Sequence, residues 1–332
     1  MFFKMGIKKF FTDQQSLKSV SRHLKSKYNI SFGKAYFNVS LSTFLFGSDY
    51  TEYEALHFYE RTKNNKKTYL TVFKWLPYIN KYNPTKYRSI FHDKLEFNTI
   101  FDKFLLRKWI NLEKRNEQEI FAFFSSHNRI VLKNSRGCSG KQVDVIETRK
   151  LSFDEFTRVI KQNKYNLAEE AIENIDVIKS LNPTSLNTLR ILTIHSDKSF
   201  NVLFACLRVG YIGGVVDNIS RGGSSAKIDV ETGIIENKFC CNEYRKNDYT
   251  QIGALKLDFD RIPFWNETIA MIKEASKLIP NIHIVGWDVA ITPNGPAIIE
   301  GNESCDTAVM QYYNGIEEEG LYPRFLKMIR NI

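Results

Sequence analysis

Residues 284–302 constrain this chain more than any other stretch, because two apolar, strand-like runs, 284–291 and 297–300, flank a turn at Pro293-Asn294-Gly295. If the turn is a three-residue loop with Gly295 in the left-handed position, Thr292 pairs with Pro296 and Asp288 lies directly opposite Glu300. Asn302 then follows two residues on, facing the same side. A two-residue loop would instead send Asp288 to the opposite face. Facing carboxylates with Cβ atoms about 5 Å apart repel unless a cation sits between them. Two carboxylates and an amide oxygen suit magnesium, which takes hard oxygen ligands and shares its sphere with substrate phosphates. An exposed hairpin edge whose acids simply meet water is the plainer alternative.

The rest of the chain supplies ample core for such a hairpin. Its 332 residues include 25 Phe and 16 Tyr, enough for two or three small domains. Residues 1–93 predict a mainly helical region with little clean period. From 93 to 112, Leu95, Phe97, Ile100, Phe101, Phe104, Leu105 and Trp109 recur at three- and four-residue steps and predict an amphipathic helix. Runs 129–133 and 142–146 read as a strand pair. Ser152 precedes an acidic first turn and predicts the N-cap of a helix over 152–164. Strands are expected at 189–194, 202–209 and 253–257, with a helix near 266–278.

Two further segments carry chemistry. Lys133-Asn134-Ser135-Arg136-Gly137-Cys138-Ser139-Gly140-Lys141 joins the first strand pair. Small residues there let backbone N–H groups close over phosphate, and the lysines neutralise charge. It is not a Walker A loop: Gly is missing at 135, and neither Ser nor Thr follows Lys141. An ordinary Gly/Ser hairpin turn is the alternative. Arg190 and Arg208 lie in apolar runs, where a buried guanidinium needs an anion. Phosphate is one candidate, structural ion pairs another.

Composition narrows the function classes. The net charge of +10 favours a polyanionic partner, yet the basic residues are scattered and no nucleic-acid-binding signature occurs, so a dedicated nucleic-acid binder is not expected. Five cysteines without C-x-x-C spacing read as reduced thiols. No stretch reaches the roughly 18 consecutive apolar residues of a membrane span, and no signal-peptide pattern opens the chain, so a cytoplasmic location is expected. Residues 1–11 interleave Phe2, Phe3, Met5, Ile7, Phe10 and Phe11 with three lysines. That segment could lie on an anionic membrane surface, at the inner face, or simply dock as a terminus.

In this order, the segments resemble the ATP-grasp superfamily, most closely its branch associated with sugar transfer and surface-polysaccharide loci, including teichuronopeptide-type proteins. The resemblance spans roughly residues 50–330. It implies an α+β fold in which two subdomains, 94–172 and 173–332, clamp ATP, preceded by the helical region 1–93. It also implies ATP and two magnesium ions. Lys94, opening a helix after Asp93, looks like the first nucleotide lysine, and Lys133 like the second. Ser135, Gly137, Ser139, Gly140 and Lys141 correspond to the loop over the β- and γ-phosphates. Residues 168–172, with Glu169, Glu170 and Ile172, look like the hinge that holds adenine and ribose. Arg190, Arg208 and Asn218 resemble the groups around the γ-phosphate and acyl phosphate, while Asp288, Glu300 and Asn302 match the terminal metal triad.

The implied activity is an ATP-dependent carboxylate–amine ligase working through an acyl phosphate. Its implied substrates are a carboxylate, either a uronic-acid sugar or an amino acid, and an amine, in capsule or surface polysaccharide biosynthesis. The alternatives are a phosphotransferase of the same fold, or a catalytically silent assembly factor. The chain departs from the pattern at Gly286, where many relatives that ligate amino acids carry an arginine two residues before the metal aspartate. The oxyanion role must then move to Arg190 or Arg208.

Overall fold

The computed structural model describes residues 13–137, 143–210, 223–241 and 257–332. Within these, the amino-terminal quarter carries helices α1 (Gln14–Tyr28), α2 (Phe32–Phe46), α3 (Tyr50–Ala55), α4 (Lys63–Thr68) and α5 (Val72–Tyr82). Their ends are written locally. The Asp13 and Ser31 side chains accept the N–H groups of Ser16 and Lys34, and Asn29 and Gly47 close α1 and α2 in the left-handed conformation. Leu17, Val20, Ala35 and Val39 pack with Tyr50, Tyr53, Phe58 and Tyr69 into one core.

Helix α6 (Lys94–Phe101) starts on Asp93, whose carboxylate accepts the Leu95 N–H. The continuous helix expected over 93–112 is not formed. A short 3-10 turn (Asp102–Phe104) follows α6, Leu106 takes a left-handed conformation (φ 48°), and Trp109–Asn111 is strand β1. Phe97, Phe101 and Leu105 satisfy the helical period by packing into the main core. Beyond them the chain reverses.

Helix α7 (Glu117–Ser126), strands β2 (Arg129–Lys133) and β3 (Val143–Glu147), helix α8 (Phe153–Asn163) and strand β4 (Leu167–Glu170) complete a four-stranded antiparallel sheet in the order β1-β4-β2-β3. Ser152 caps α8 through a capping box with Glu155. Phe123, Phe124 and Phe156 cover Ile130, Leu132 and Ala168 on one face. Strand alternation turns Val131, Lys133 and Glu169 to the other.

Helix α9 (Asp176–Lys179) leads to a six-stranded antiparallel sheet. Its members are β5 (Thr188–His195), β6 (Phe200–Val209), β7 (Ser224–Ile228), β8 (Ile235–Cys241), β9 (Ile284–Thr292) and β10 (Gly295–Asn302), in the order β10-β9-β5-β6-β7-β8. Helix α10 (Trp265–Ser276) precedes β9, and α11 (Tyr322–Ile329) closes the chain. The strand expected at 253–257 falls, apart from Leu257, outside the described residues. On one face Leu189, Ile191, Leu207, Val285 and Trp287 meet α6 and α10. On the other, Leu192, Ile194, Phe204 and Cys206 meet Trp75 and Ile79 of α5 and Phe325 of α11; Arg190, Arg208 and Asp288 share this second face by strand alternation.

The β9–β10 hairpin differs from the expected three-residue loop. Thr292 pairs with Gly295, so the turn has two residues, which by itself would separate Asp288 from Glu300. An irregularity between Ile298 and Glu300 shifts the register, leaving Asp288 opposite Glu300 and Gly286 opposite Asn302. The bulge restores what the turn would have lost.

The amino-terminal helices grip the segment after β10. Arg61 donates to the carbonyls of Asn314, Gly315 and Ile316 (2.9, 2.7 and 2.6 Å). The Gln311 amide bonds both Leu70 N and Leu70 O (3.0 and 2.8 Å), and Asn83 Nδ2 donates to Ile284 O and Glu303 O (2.7 and 2.9 Å). Buried Glu52 accepts the Thr307 hydroxyl and the N–H groups of Asp49 and Val72. Burial, then the Asp49 charge, push the Glu52 carboxyl up from 4.5 to about 8, against those hydrogen bonds. With the folded value raised, the native state holds a proton that the unfolded chain releases, so this stabilisation is present below pH 4.5 and is lost as pH rises through about 8. Thermal melting followed from pH 5 to 8 should therefore show the wild type losing stability relative to Glu52→Gln, whereas parallel curves for the two proteins would refute the assignment.

Candidate active site

A cavity of about 600 Å³ lies between the inner faces of the two sheets. Lys94, Lys133, Gly137, Glu169, Glu170 and Ile172 line it from the smaller sheet and its flanks, and Arg190, Arg208, Asp288, Glu300 and Asn302 from the larger. Ser135 sits buried beside it, its N–H donating to Asn166 Oδ1 (2.7 Å) and its Oγ accepting from Asn166 Nδ2 (3.2 Å). Ser139, Gly140, Lys141 and Asn218 lie outside the described residues. Lys94 opens α6 and donates through Nζ to the Gly137 carbonyl (2.5 Å), which places it at the entrance of the Gly/Ser segment. Val131, Val143 and Val145 give the cavity an apolar flank on the smaller sheet, near Ile172 and Leu186.

Strand β2 delivers Lys133 to the cavity, and strand β4 places Glu169 within its reach. The two side chains form an ion pair. Glu169 is 2% exposed and also accepts from Arg107 Nη2 (2.9 Å) and Asn98 Nδ2 (2.7 Å). Burial would raise its pKa, but the charges of Arg107 and Lys133 outweigh burial and hold it well below the usual carboxylate range. Glu169 thus bonds Lys133, Arg107 and Asn98, in the segment that the resemblance assigns to adenine and ribose. Glu170 accepts the Lys108 N–H (3.1 Å) and, with Ile172, faces the cavity from its rim.

The second charged cluster crosses the larger sheet. Asp288 is opposite Arg190 on one side and Glu300 on the other. Arg190 forks onto it through Nε and Nη2, the latter at 3.0 Å, and Arg208 Nη2 reaches Oδ2 at 2.9 Å. Thr188 Oγ1 accepts from Arg208 Nη2 (2.7 Å) and steadies it. Burial acts to raise Asp288, but the two guanidiniums prevail and keep it below its ordinary value. Glu300 goes the other way, raised by burial and by the Asp288 charge. Asn302 keeps Nδ2 buried without a hydrogen-bond partner among the described residues. Those residues hold no cluster of three or more His, Cys, Asp or Glu side chains suited to a metal. The donor set is two facing carboxylates and one amide, and these could hold a small hard cation such as magnesium.

Sequence reasoning missed Arg107, Asn98 and the reason for Gly286. A Cβ on Gly286 would lie 2.0 Å from Cys305 Sγ and 3.6 Å from Arg190 Cδ. The glycine is the space that lets Cys305 and Arg190 sit on this face. Gly286→Ala should therefore destabilise the protein by about 1–3 kcal/mol through overpacking, and adding Cys305→Ala should return most of that loss. Denaturant titration checks both; an alanine at 286 tolerated without Cys305→Ala would contradict the packing argument.

Comparison with known proteins adds a family to this geometry. A search of curated proteins finds no match. Solved structures similar to this chain include the ADP complex of an N5-carboxyaminoimidazole ribonucleotide synthetase, with 12% identity over 74% of this chain and 52% of that one at a TM-score of 0.44. The ATP-grasp ligase PsnB with its minimal precursor has 14% identity over 76% and 64% at 0.42. An L-amino acid ligase from Bacillus licheniformis has 9% over 74% and 49% at 0.42. The chain spans between about half and two thirds of the length of these proteins. The family described as sugar-transfer associated ATP-grasp matches residues 76–331. That match takes in both sheets and the cavity between them, and with it the chain belongs to the sugar-transfer associated ATP-grasp family.

Proposed function

We propose that this protein is an ATP-dependent carboxylate–amine ligase that forms an amide through an acyl phosphate. The observation that carries the reading is the bulged pairing of Asp288 with Glu300 beside Arg190 and Arg208, in the same cavity as Lys94 and Lys133. Lys94 and Lys133 neutralise phosphate charge on the smaller sheet, and the apolar flank with Glu170 and Ile172 receives the nucleoside. Asp288, Glu300 and Asn302 would hold magnesium, which when bound supplies charge neutralisation at the triphosphate. The facing carboxylates of Asp288 and Glu300 fit that donor set, with the Asn302 amide oxygen as the third ligand.

In the first step a carboxylate oxygen attacks the γ-phosphorus and the bond to ADP breaks. In the second, an amine nitrogen attacks the acyl carbon, the phosphate leaves, and the nitrogen loses a proton. Positioning and electrostatics carry both steps without a protein nucleophile. Arg190 Nη1, the guanidinium nitrogen not bonded to Asp288, lies 3.9 Å from Cys305 Sγ at the cavity wall and suits the developing oxyanion. That gives Arg190 the role left vacant by Gly286. The family's description as sugar-transfer associated supports a uronic-acid sugar as carboxylate and an amino acid or other amine as its partner, in surface-polysaccharide synthesis.

Magnesium-dependent ADP release, measured with pooled uronic acids and amino acids, tests the proposal. Stimulated turnover with an amide product by mass spectrometry is expected, and Asp288→Asn and Glu300→Gln should each lower it by roughly 10²-fold or more. A phosphorylated product without amide would instead establish the phosphotransferase, and failure to bind ATP would sink the reading.

A further inference from the structure

We propose that Arg107 is a positioning residue that couples the nucleotide lysine of one sheet to the metal-side carboxylate of the other. The inference rests on the ATP-binding reading above. Arg107 is 8% exposed, and its guanidinium is shared between the two sheets. Nη2 donates to Glu169 Oε1 at 2.9 Å, the carboxylate that also holds Lys133. Nη1 donates to the Ile298 carbonyl at 2.7 Å, and Nη2 to the Ile299 carbonyl at 3.2 Å. Those two carbonyls belong to the bulge that brings Glu300 opposite Asp288.

Both ends of this bridge bear on the cavity. With Arg107 present, Glu169 meets two cations for one negative charge, so Lys133 need not neutralise it alone and can turn to phosphate. Without Arg107 the buried carboxylate would hold Lys133 to itself, because a buried charge stripped of one partner tightens on the other. At the second end, the guanidinium caps backbone carbonyls that the irregular pairing leaves short of partners. Loss of that cap frees β10 to relax toward regular pairing, which would carry Glu300 away from Asp288.

The backbone before Arg107 is strained in a way that fits this role. Leu106 is a non-glycine residue in the left-handed region (φ 48°) and leaves its side chain 46% exposed. A leucine in solvent gains nothing from that conformation, which costs on the order of 1 kcal/mol. What the turn achieves is to direct the next side chain inward, between the sheets.

The test is the affinity of the full chain for a non-hydrolysable ATP analogue, by calorimetry, with and without magnesium, for wild type, Arg107→Lys, Arg107→Met and Arg107→Met/Glu169→Gln. Arg107→Met should weaken magnesium-free binding at least tenfold and abolish most of the tightening that magnesium brings. The double variant should recover magnesium-free affinity to within about threefold, since no buried carboxylate then competes for Lys133, but not the magnesium response. Arg107→Lys, which keeps the charge without the fork, should fall between and keeps the test open if Arg107→Met does not fold. If wild type binds no analogue, the ATP-binding reading itself fails. If wild type binds and Arg107→Met matches it, or affinity and melting temperature fall together without rescue by Glu169→Gln, the coupling role is overturned.

Discussion

A buried carboxylate held by two guanidiniums sets the centre of this protein. Asp288 is 2% exposed on a strand otherwise packed with apolar side chains, and it persists there because Arg190 reaches it from the adjacent strand β5 and Arg208 from β6, one strand further across the sheet. Removing one partner from such a group costs about 3–5 kcal/mol, since the remaining charge cannot return to water. The same arrangement restricts what else the sheet can do. Gly286 must stay small for Cys305 and Arg190 to fit, and Glu300 is pressed against a like charge. Stability and the proposed chemistry therefore draw on the same few residues.

The smaller sheet repeats the logic in a different key. Its buried carboxylate, Glu169, is overmatched by Arg107 and Lys133, leaving surplus positive charge beside the cavity. The larger sheet presents two facing acids together with Arg190 and Arg208, and the smaller one Lys133 beside Glu169, so the cavity wall sets cations next to carboxylates at both sheets. The amino-terminal helices belong to the same design. Through Arg61, Asn83, Gln311 and Glu52 they fix residues 303–321, which carry Cys305 and Asp306 into the cavity wall.

Much of this is legible in the order of the amino acids. Apolar, strand-like runs locate β5, β6, β9 and β10, Ser152 marks the start of α8, and the types and order of Lys133, Arg190, Arg208, Asp288, Glu300 and Asn302 point to phosphate and cation chemistry. The element placements hold because strand alternation and helix capping are local, settled by residues a few positions apart. Three features are not legible in that way. The helix expected through residue 112 ends early because Phe97, Phe101 and Leu105 have satisfied their core contacts and Arg107 is required elsewhere. Within the 168–172 segment that the resemblance matches to the nucleotide hinge, residues 168–170 form part of a strand because β1 and β2 pair with β4 on either side, a pairing that no local pattern in that segment announces.

The third feature, the β9–β10 hairpin, shows most clearly where local information ends. By itself the sequence determined that two strands meet at a turn around Pro293-Asn294-Gly295, with acids at 288 and 300, but the two-residue turn that forms would have put those acids on opposite faces. Only the tertiary structure decided that the register slips by one at Ile299. The bulge's carbonyls find their donor in Arg107, nearly two hundred residues earlier in the chain, and no periodicity within the hairpin could carry that information. A bulge has no local pattern strong enough to specify it; it exists where a distant side chain makes the irregular pairing cheaper than the regular one.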